Sequence, residues 1–326
     1  MTMDTAPREY PGRSEPKPLF DGVRTRWHQS LVWGFALLPA IIVPVVAVKS
    51  WGWGTTWLNL GLAVLFYCIA CLGVTVGYHR LFTHGAFKAN RGLKIALAIA
   101  GSTALQGPVR TWVADHRRHH AFSDREGDPH SPWAYGTSPL AMFRGFWHAH
   151  MGWLMDRDKT NVERFAPDLA KDSDLERVDR LFWLWTLLSF LVPAALGGLL
   201  SWSWWGAVTA LFWAGLVRMA LLHHITWSTN SICHMIGERP FTARDKAANF
   251  WPLAIFSMGE SWHNSHHADP TCARHGVLKG QIDISARLIW LFEKWGWATE
   301  VRWPRTDKLG KLITGKAKEK GRTIKV

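Results

Sequence analysis

His263-Asn264-Ser265-His266-His267 is the run on which the reading of this 326-residue chain turns. The same HxxHH spacing recurs at His116-Arg117-Arg118-His119-His120. On a helix, positions i, i+3 and i+4 share one face, so each run can aim three imidazoles at one place. Adjacent positions such as His119 and His120 diverge by about a quarter turn, at ~3.6 residues per turn. One neighbour can therefore serve one metal ion while the next serves a second.

Both runs sit beside long apolar segments. From Ser30 to Tyr78 the only charged residue is Lys49. A bilayer span takes ~20 apolar residues, so this block fits two helices, one over about 31–48 and kinked by Pro39 and Pro44, the other over 57–78. From Leu181 to Val217 no residue is charged. That is too long for one span, and Ser201-Trp202-Ser203-Trp204-Trp205 supplies a turn with interfacial tryptophans, giving spans at 181–200 and 204–227. The apolar stretch from Ile95 to Leu105 is too short to cross and reads as an interfacial or buried helix.

The expected fold is an all-α integral membrane protein with four transmembrane helices in two hairpins. A helical cytosolic cap, from 79–180 and 228–300, would hold a His-rich two-metal site. Residues 1–28 read as a flexible cytosolic arm without a secretory leader, 29–300 as the membrane domain and 301–326 as a basic cytosolic tail.

The two hairpin turns hold only Lys49 between them, whereas the arm, the 79–180 segment and the tail carry nearly all Lys and Arg. The positive-inside rule then places both termini and every histidine cluster of this multi-pass protein on the cytoplasmic side. The formal net charge of +13 suits an anionic partner, whether nucleic acid, anionic lipid or a phosphorylated substrate; of these, nucleic acid is not expected. Cys68, Cys71, Cys233 and Cys272 form neither a zinc-ribbon nor a disulfide pattern.

A third cluster, His79-Arg80-Leu81-Phe82-Thr83-His84, ends the second span. An i to i+5 offset is poor for a regular helix, so the helix is expected to end or distort there. The fourth span outruns the bilayer to reach Asn230 and His234, an i, i+4 pair. Nine candidate metal ligands result: His79, His84, His116, His119, His120, His234, His263, His266 and His267. Nine exceed what one ion takes and suit two ions with four or five nitrogens each. Imidazole alone does not select the metal, but structural zinc sites are usually closed four-ligand sites with cysteine, so a large all-His cluster argues for redox iron. Each imidazole needs an acceptor for its other N–H; Asp115, Asp128, Glu260 and Asp269 are close in sequence. Asn230 could reach a metal directly or through water. Of the other histidines, His148 and His150 form only a short alternation, His223 shares a helical stripe with Asn230, and His28, His130, His224 and His275 have no constellation.

These residues resemble the three histidine boxes of the membrane fatty acyl desaturases, as does Thr226-Trp227-Ser228-Thr229-Asn230-Ser231-Ile232-Cys233-His234. Trp112, Asp128-Pro129-His130, His150-Met151-Gly152-Trp153 and Gly259-Glu260-Ser261-Trp262 add to the likeness. It runs over residues 30 to 300 and is nearest the Δ9 stearoyl-CoA type. The resemblance implies two irons held by the nine histidines, with Asn230 as a water-mediated ligand and O2 as co-substrate. It implies a cis double bond placed in a long-chain acyl group, carried on CoA or another carrier. Trp112 and Trp227 then match tunnel-lining positions. Electrons would come from a separate ferredoxin, cytochrome b5-like protein or NAD(P)H reductase. Two positions depart from the pattern: Ala114 stands where an Arg often precedes Asp115, and Arg157 and Lys159 are separated by Asp158.

Unactivated methylenes have no acidic proton, so a metal–oxygen oxidant is needed and selectivity must be geometric. Tyr67, 12 residues before His79 and so ~18 Å down the helix, is a candidate depth marker of the tunnel. Arg24, Arg26, Arg144, Arg157 and Lys159 are candidates to meet an anionic head group. Other readings are a desaturase of acyl-lipid, a membrane di-iron hydroxylase of alkanes or other lipids, and a metal transporter or storage protein. A transporter would place ligands along a path inside the bilayer, whereas these boxes lie past the helix ends.

Overall fold

A computed structural model describes residues 17–34, 48 and 53–325. Among them, three helices are long and apolar enough to cross a membrane: Trp57–Thr83 (α1), Phe182–Ser201 (α6) and Trp204–His234 (α7). Beyond residue 34, the span expected over 31–48 lies outside the described residues apart from residue 48.

The α6–α7 pair is the hairpin expected from the uncharged block. Trp202 takes a left-handed conformation (φ 48°) at the turn, and Ser203 caps α7 by accepting from the Trp205 N–H. Trp202 and Trp204 are almost fully exposed, as belongs to aromatic residues at a membrane surface. Gly197 and Gly206 let the two helices touch: a Cβ on Gly197 would lie 2.2 Å from that of Ala210. Arg218, midway along α7, is fully buried. Its guanidinium donates to Ser189 of α6 and to the Ala214 carbonyl.

α1 begins as a regular helix capped by Thr56 and then widens, from Gly73 to Thr83, into turns closed by i→i+5 hydrogen bonds. The helix Arg91–Ser102 (α2) lies against this widened part. Contact is close because Gly73 faces Gly101, and a Cβ on Gly73 would sit 2.2 Å from the Gly101 nitrogen. Tyr78 seals the junction with a 2.9 Å hydrogen bond to Ser102.

The cap is built on these ends. The helix Val109–Phe122 (α3) packs on the widened end of α1. Pro139–His150 (α4) runs beside the end of α7, and Ser173–Arg180 (α5) leads into α6. The short helix His263–Ala268 (α8) is buried at the centre, and Ile284–Lys294 (α9) closes the side next to α1. Two small antiparallel pairs, Phe20–Val23 (β1) with Asp158–Thr160 (β3), and Lys88–Ala89 (β2) with Ala298–Thr299 (β4), tie distant segments together. Part of the expected arm is thus paired onto the cap.

The basic segment from 301 does not trail as a free tail. Phe241 bridges Ile313, Leu278 bridges Ile324, and Leu309 is completely buried against Phe241 and Leu278. Its apolar positions fill the cap while its lysines stay in solvent.

The Gly73–Gly101 approach gives a test. Gly73→Ala should destabilise by about 1–3 kcal/mol through overpacking and lower the thermal midpoint in detergent. Gly61→Ala on the same helix, where no atom lies within 4 Å, should be neutral or slightly stabilising; equal behaviour of the two would refute the packing assignment.

Candidate metal centre

Three helix ends and one short helix bring nine imidazoles together. Widened turns place residues five apart on one face, so His79 and His84 meet with ring centroids 4.9 Å apart. The distortion expected from the i, i+5 offset is therefore the wide-turned segment itself. His116, His119 and His120 come from α3, His234 from the tightened last turn of α7, and His263, His266 and His267 from α8.

The nitrogens sort into two groups, each within 4.8 Å of one another: His79, His84, His116, His120 and His266 in one, His119, His234, His263 and His267 in the other. Adjacent histidines divide between groups, His119 from His120 and His266 from His267.

Within the groups the ring nitrogens face each other. His266 Nε2 lies 3.1 Å from His79 Nε2 and 3.0 Å from His120 Nε2, and His263 Nε2 lies 3.1 Å from both His234 Nε2 and His267 Nε2. Two imidazoles sharing an ion at a metal–nitrogen distance of about 2.0–2.1 Å, the zinc value, stand about 3.0–3.4 Å apart. The buried Nε2 atoms of His84 and His119 have no hydrogen-bond partner, which leaves them free for a metal. Donor type, spacing and orphaned nitrogens all fit two ions.

The far nitrogens are held by carboxylates. His79 Nδ1 lies 2.5 Å from Glu260, His119 Nδ1 2.9 Å from Asp128, His234 Nδ1 3.1 Å from Asp124 and His267 Nδ1 2.7 Å from Asp245. Glu260 is fixed in turn by Arg80, which is fully buried and also pairs with Asp283. Burial pushes Glu260 up, but His275, His79 and Arg80 outweigh it and hold the carboxyl well below its usual range.

Two of the four carboxylates expected from sequence act otherwise. Asp115 is no imidazole's partner among the described residues; it lies near Arg24 and Arg118 and accepts a hydrogen bond from Thr160, and burial raises its pKa. Asp269 takes Lys308 at 2.6 Å. Asp124 and Asp245 replace them. Asp124, four residues past His120, was within reach of a local reading; Asp245 carries no local signal.

Two histidines read as isolated also join the centre. His275 packs 4.4 Å from the His266 ring and 3.2 Å from Glu260. His130 packs 4.3 Å from the His119 ring beside Asp128. His150 and His224 pair at 3.0 Å near Trp227, and His223 is tied to the Ala104 carbonyl at 2.9 Å.

A cavity of about 690 Å³ runs beside the centre, within the usual range for ligand pockets. His79, His116, His263 and Asn230 line it, together with Trp112 and Trp227. Toward the start of α1 it meets Cys71 and Val74; elsewhere it meets Arg24, Lys159 and Arg180. Gln106 braces it, accepting from Trp112 Nε1 at 3.2 Å and donating to Thr226 at 3.0 Å. Tyr67 does not line it: one turn beyond Cys71, its hydroxyl donates to the Phe256 carbonyl at 2.6 Å. Arg157 does not line it either, its guanidinium being spent on the Arg24 carbonyl. Arg144 lies over the Tyr135 ring, and Arg26 is exposed outside the lining.

Burial holds His84, His116, His120, His263, His266 and His267 well below the usual histidine range, and neighbouring imidazoles push the same way. His119 differs: burial opposes its charge, but Asp128 raises it overall.

Two tests follow. Asp245→Asn or Asp124→Asn should weaken metal retention about 10–100-fold, measured by elemental analysis after chelator dialysis, while Asp269→Asn leaves it unchanged. Acidification should act through the six depressed imidazoles. Above about pH 6.5 both folded and unfolded forms are neutral; below it the unfolded chain gains protons that the folded one refuses, so stability and metal content fall together. Metal retained at pH 5 as at pH 8 would contradict this.

Residues 55–277 match the family model described as "Fatty acid desaturase". The chain is 38% identical to the hex-5-enoyl-[acyl-carrier protein] acetylenase of Moorena producens (strain JHB), over 83% of this chain and 85% of the relative. It is 37% identical to the Delta-9 acyl-lipid desaturase 1 of Arabidopsis thaliana, over 76% and 77%. It is 32% identical to the acyl-CoA C20 Delta5-desaturase of Anemone leveillei, over 86% and 84%.

Proposed function

The chain belongs to the fatty acid desaturase family, and on that premise we propose that it inserts a cis double bond at C9–C10 of a saturated long-chain acyl group carried as a CoA thioester. The observation that carries the reading is one cavity whose lining includes imidazoles of both groups, His79, His116 and His263, the cationic Arg24, Lys159 and Arg180, and the apolar Cys71 and Val74. The five-imidazole and four-imidazole groups, with Asn230 through a water, would hold two irons that draw on O2 for the oxidising power to break two unactivated C–H bonds.

The chain's own residues supply the rest. Glu260, Asp128, Asp124 and Asp245 hold the imidazoles in register. Trp112, stacked 5.0 Å from the His116 ring, and Trp227 shape the apolar passage. Gln106 locks Trp112 to α7, so the acyl chain meets a fixed wall. Arg24 and Lys159 meet the anionic carrier. Both termini and the centre face the cytoplasm of a bacterial inner membrane, and a separate protein brings the electrons.

The relatives' printed names bring in other carriers beside CoA: one names acyl-lipid and another an acyl-carrier protein substrate, while a third names acyl-CoA. Purified enzyme offered stearoyl-CoA and a stearoyl lipid separates the readings by which is converted.

Expression in a host that cannot make unsaturated fatty acids should restore growth and yield chains unsaturated between C9 and C10. An alcohol product would instead support a hydroxylase. His120→Ala and His267→Ala should abolish rescue while the protein stays in the membrane. Tyr67→Ala should shift preference to longer chains, because it removes the residue beyond Cys71; an unchanged chain-length profile excludes Tyr67 as the depth marker.

A further inference from the structure

The loop after α7 touches the four-imidazole group from outside at two points. Asp245 takes His267 Nδ1 at 2.7 Å. The next residue, Lys246, donates its backbone N–H at 2.7 Å to Asp124, the carboxylate that also holds His234. The same loop is cationic outward: Arg239, Arg244 and Lys246 are all exposed, and the Arg239 guanidinium donates to the Asp245 carbonyl. The nearby acids do not cancel this charge. Asp124 and Asp245 point inward to imidazoles, and Glu238 is paired with Arg322 at 2.8 Å.

An indole bridges surface and site. Trp133 is half-buried; Lys246 Nζ lies 3.6 Å over its ring, and its Nε1–H donates to the His234 carbonyl at 3.0 Å. Among the described residues the five-imidazole group has no comparable cationic surface loop on its carboxylate: Glu260 is held by Arg80, His79 and His275, all buried, and otherwise meets the cavity.

We infer that this cationic loop receives an acidic one-electron carrier protein, and that electrons arrive on the side of the four-imidazole group past Trp133. The inference rests on the desaturase reading. Reducing O2 to two waters takes four electrons and four protons. Two of each come from the two C–H bonds lost as the double bond forms. The carrier supplies the other two electrons in successive one-electron visits, and solvent supplies two protons. A positive face meeting a negative carrier speeds encounter and fixes orientation, and is screened by salt.

The test uses the full metal-loaded chain in detergent or nanodiscs, with an acidic plant-type [2Fe–2S] ferredoxin as probe. Wild type should bind it with an affinity that falls steeply with added salt. The double reversal Arg244→Glu with Lys246→Glu should weaken binding about tenfold or more at low salt, with metal content unchanged. Reversal of Lys316 and Lys318, on the C-terminal segment, should leave binding within about twofold. Trp133→Phe keeps an aromatic ring but loses the N–H; it should slow single-turnover oxidation of reduced ferredoxin at unchanged affinity. Absence of salt-sensitive binding, equal loss in both reversals, or an unaffected oxidation rate in Trp133→Phe overturns the assignment. Binding and ferredoxin oxidation are read without product analysis, so a chain that binds the probe but yields no alkene would fail the desaturase reading alone.

Discussion

Nine imidazoles turned toward one another in a water-poor interior create a demand that most of the cap answers. A buried ring nitrogen without a partner is costly, and here many nitrogens share two small volumes. Each ring must be fixed from its far side, which is why buried carboxylates stand behind His79, His119, His234 and His267. A buried carboxylate has needs of its own. Arg80 answers Glu260, the Lys246 N–H answers Asp124, and the His130 N–H answers Asp128. The packing of the cap is thus organised outward from the site, one polar requirement after another.

The same demand explains why the apolar helices do two jobs. α1 and α7 are long enough to cross a bilayer and continue to the imidazoles, so no loop separates membrane from chemistry. Where a regular helix would turn a side chain the wrong way, the backbone changes pitch instead. α1 widens before His79 and His84, and α7 tightens at Ile232–His234. Small residues make room for this: Gly73 and Gly101 let α2 brace the widened turns at backbone distance.

Much of this was legible because the chemistry is locally repetitive. The i, i+3, i+4 runs, the awkward i, i+5 pair and the uncharged blocks each have a short-range pattern, and their spacing separates His119 from His120 before any coordinates. Partners distant in sequence leave no such trace. Asp124 meets His234 across 110 residues, and nothing local distinguishes Asp245 from any loop aspartate. Asp115 looked equally suitable because nearness in sequence stood in for direction; on α3 it points toward Thr160 instead. His130 and His275 looked solitary because their companions come from other segments. The basic C-terminal segment misled in a related way: its charges hid the sparse apolar positions, Leu309, Ile313 and Ile324, that dock it.

Arg218 bears on how α7 is placed in lipid. An arginine near the middle of a lone helix resists partition into lipid by about 2.5–3.5 kcal/mol on insertion scales. Beyond the Ala214 carbonyl of its own helix, its acceptors are the carbonyl and hydroxyl of Ser189, on the preceding helix. That cost is offset where α6 lies alongside, so the pairing couples the placement of α7 in lipid to that of α6. Ser189 thereby gives α7 a polar tether to its neighbour at a depth where water offers none.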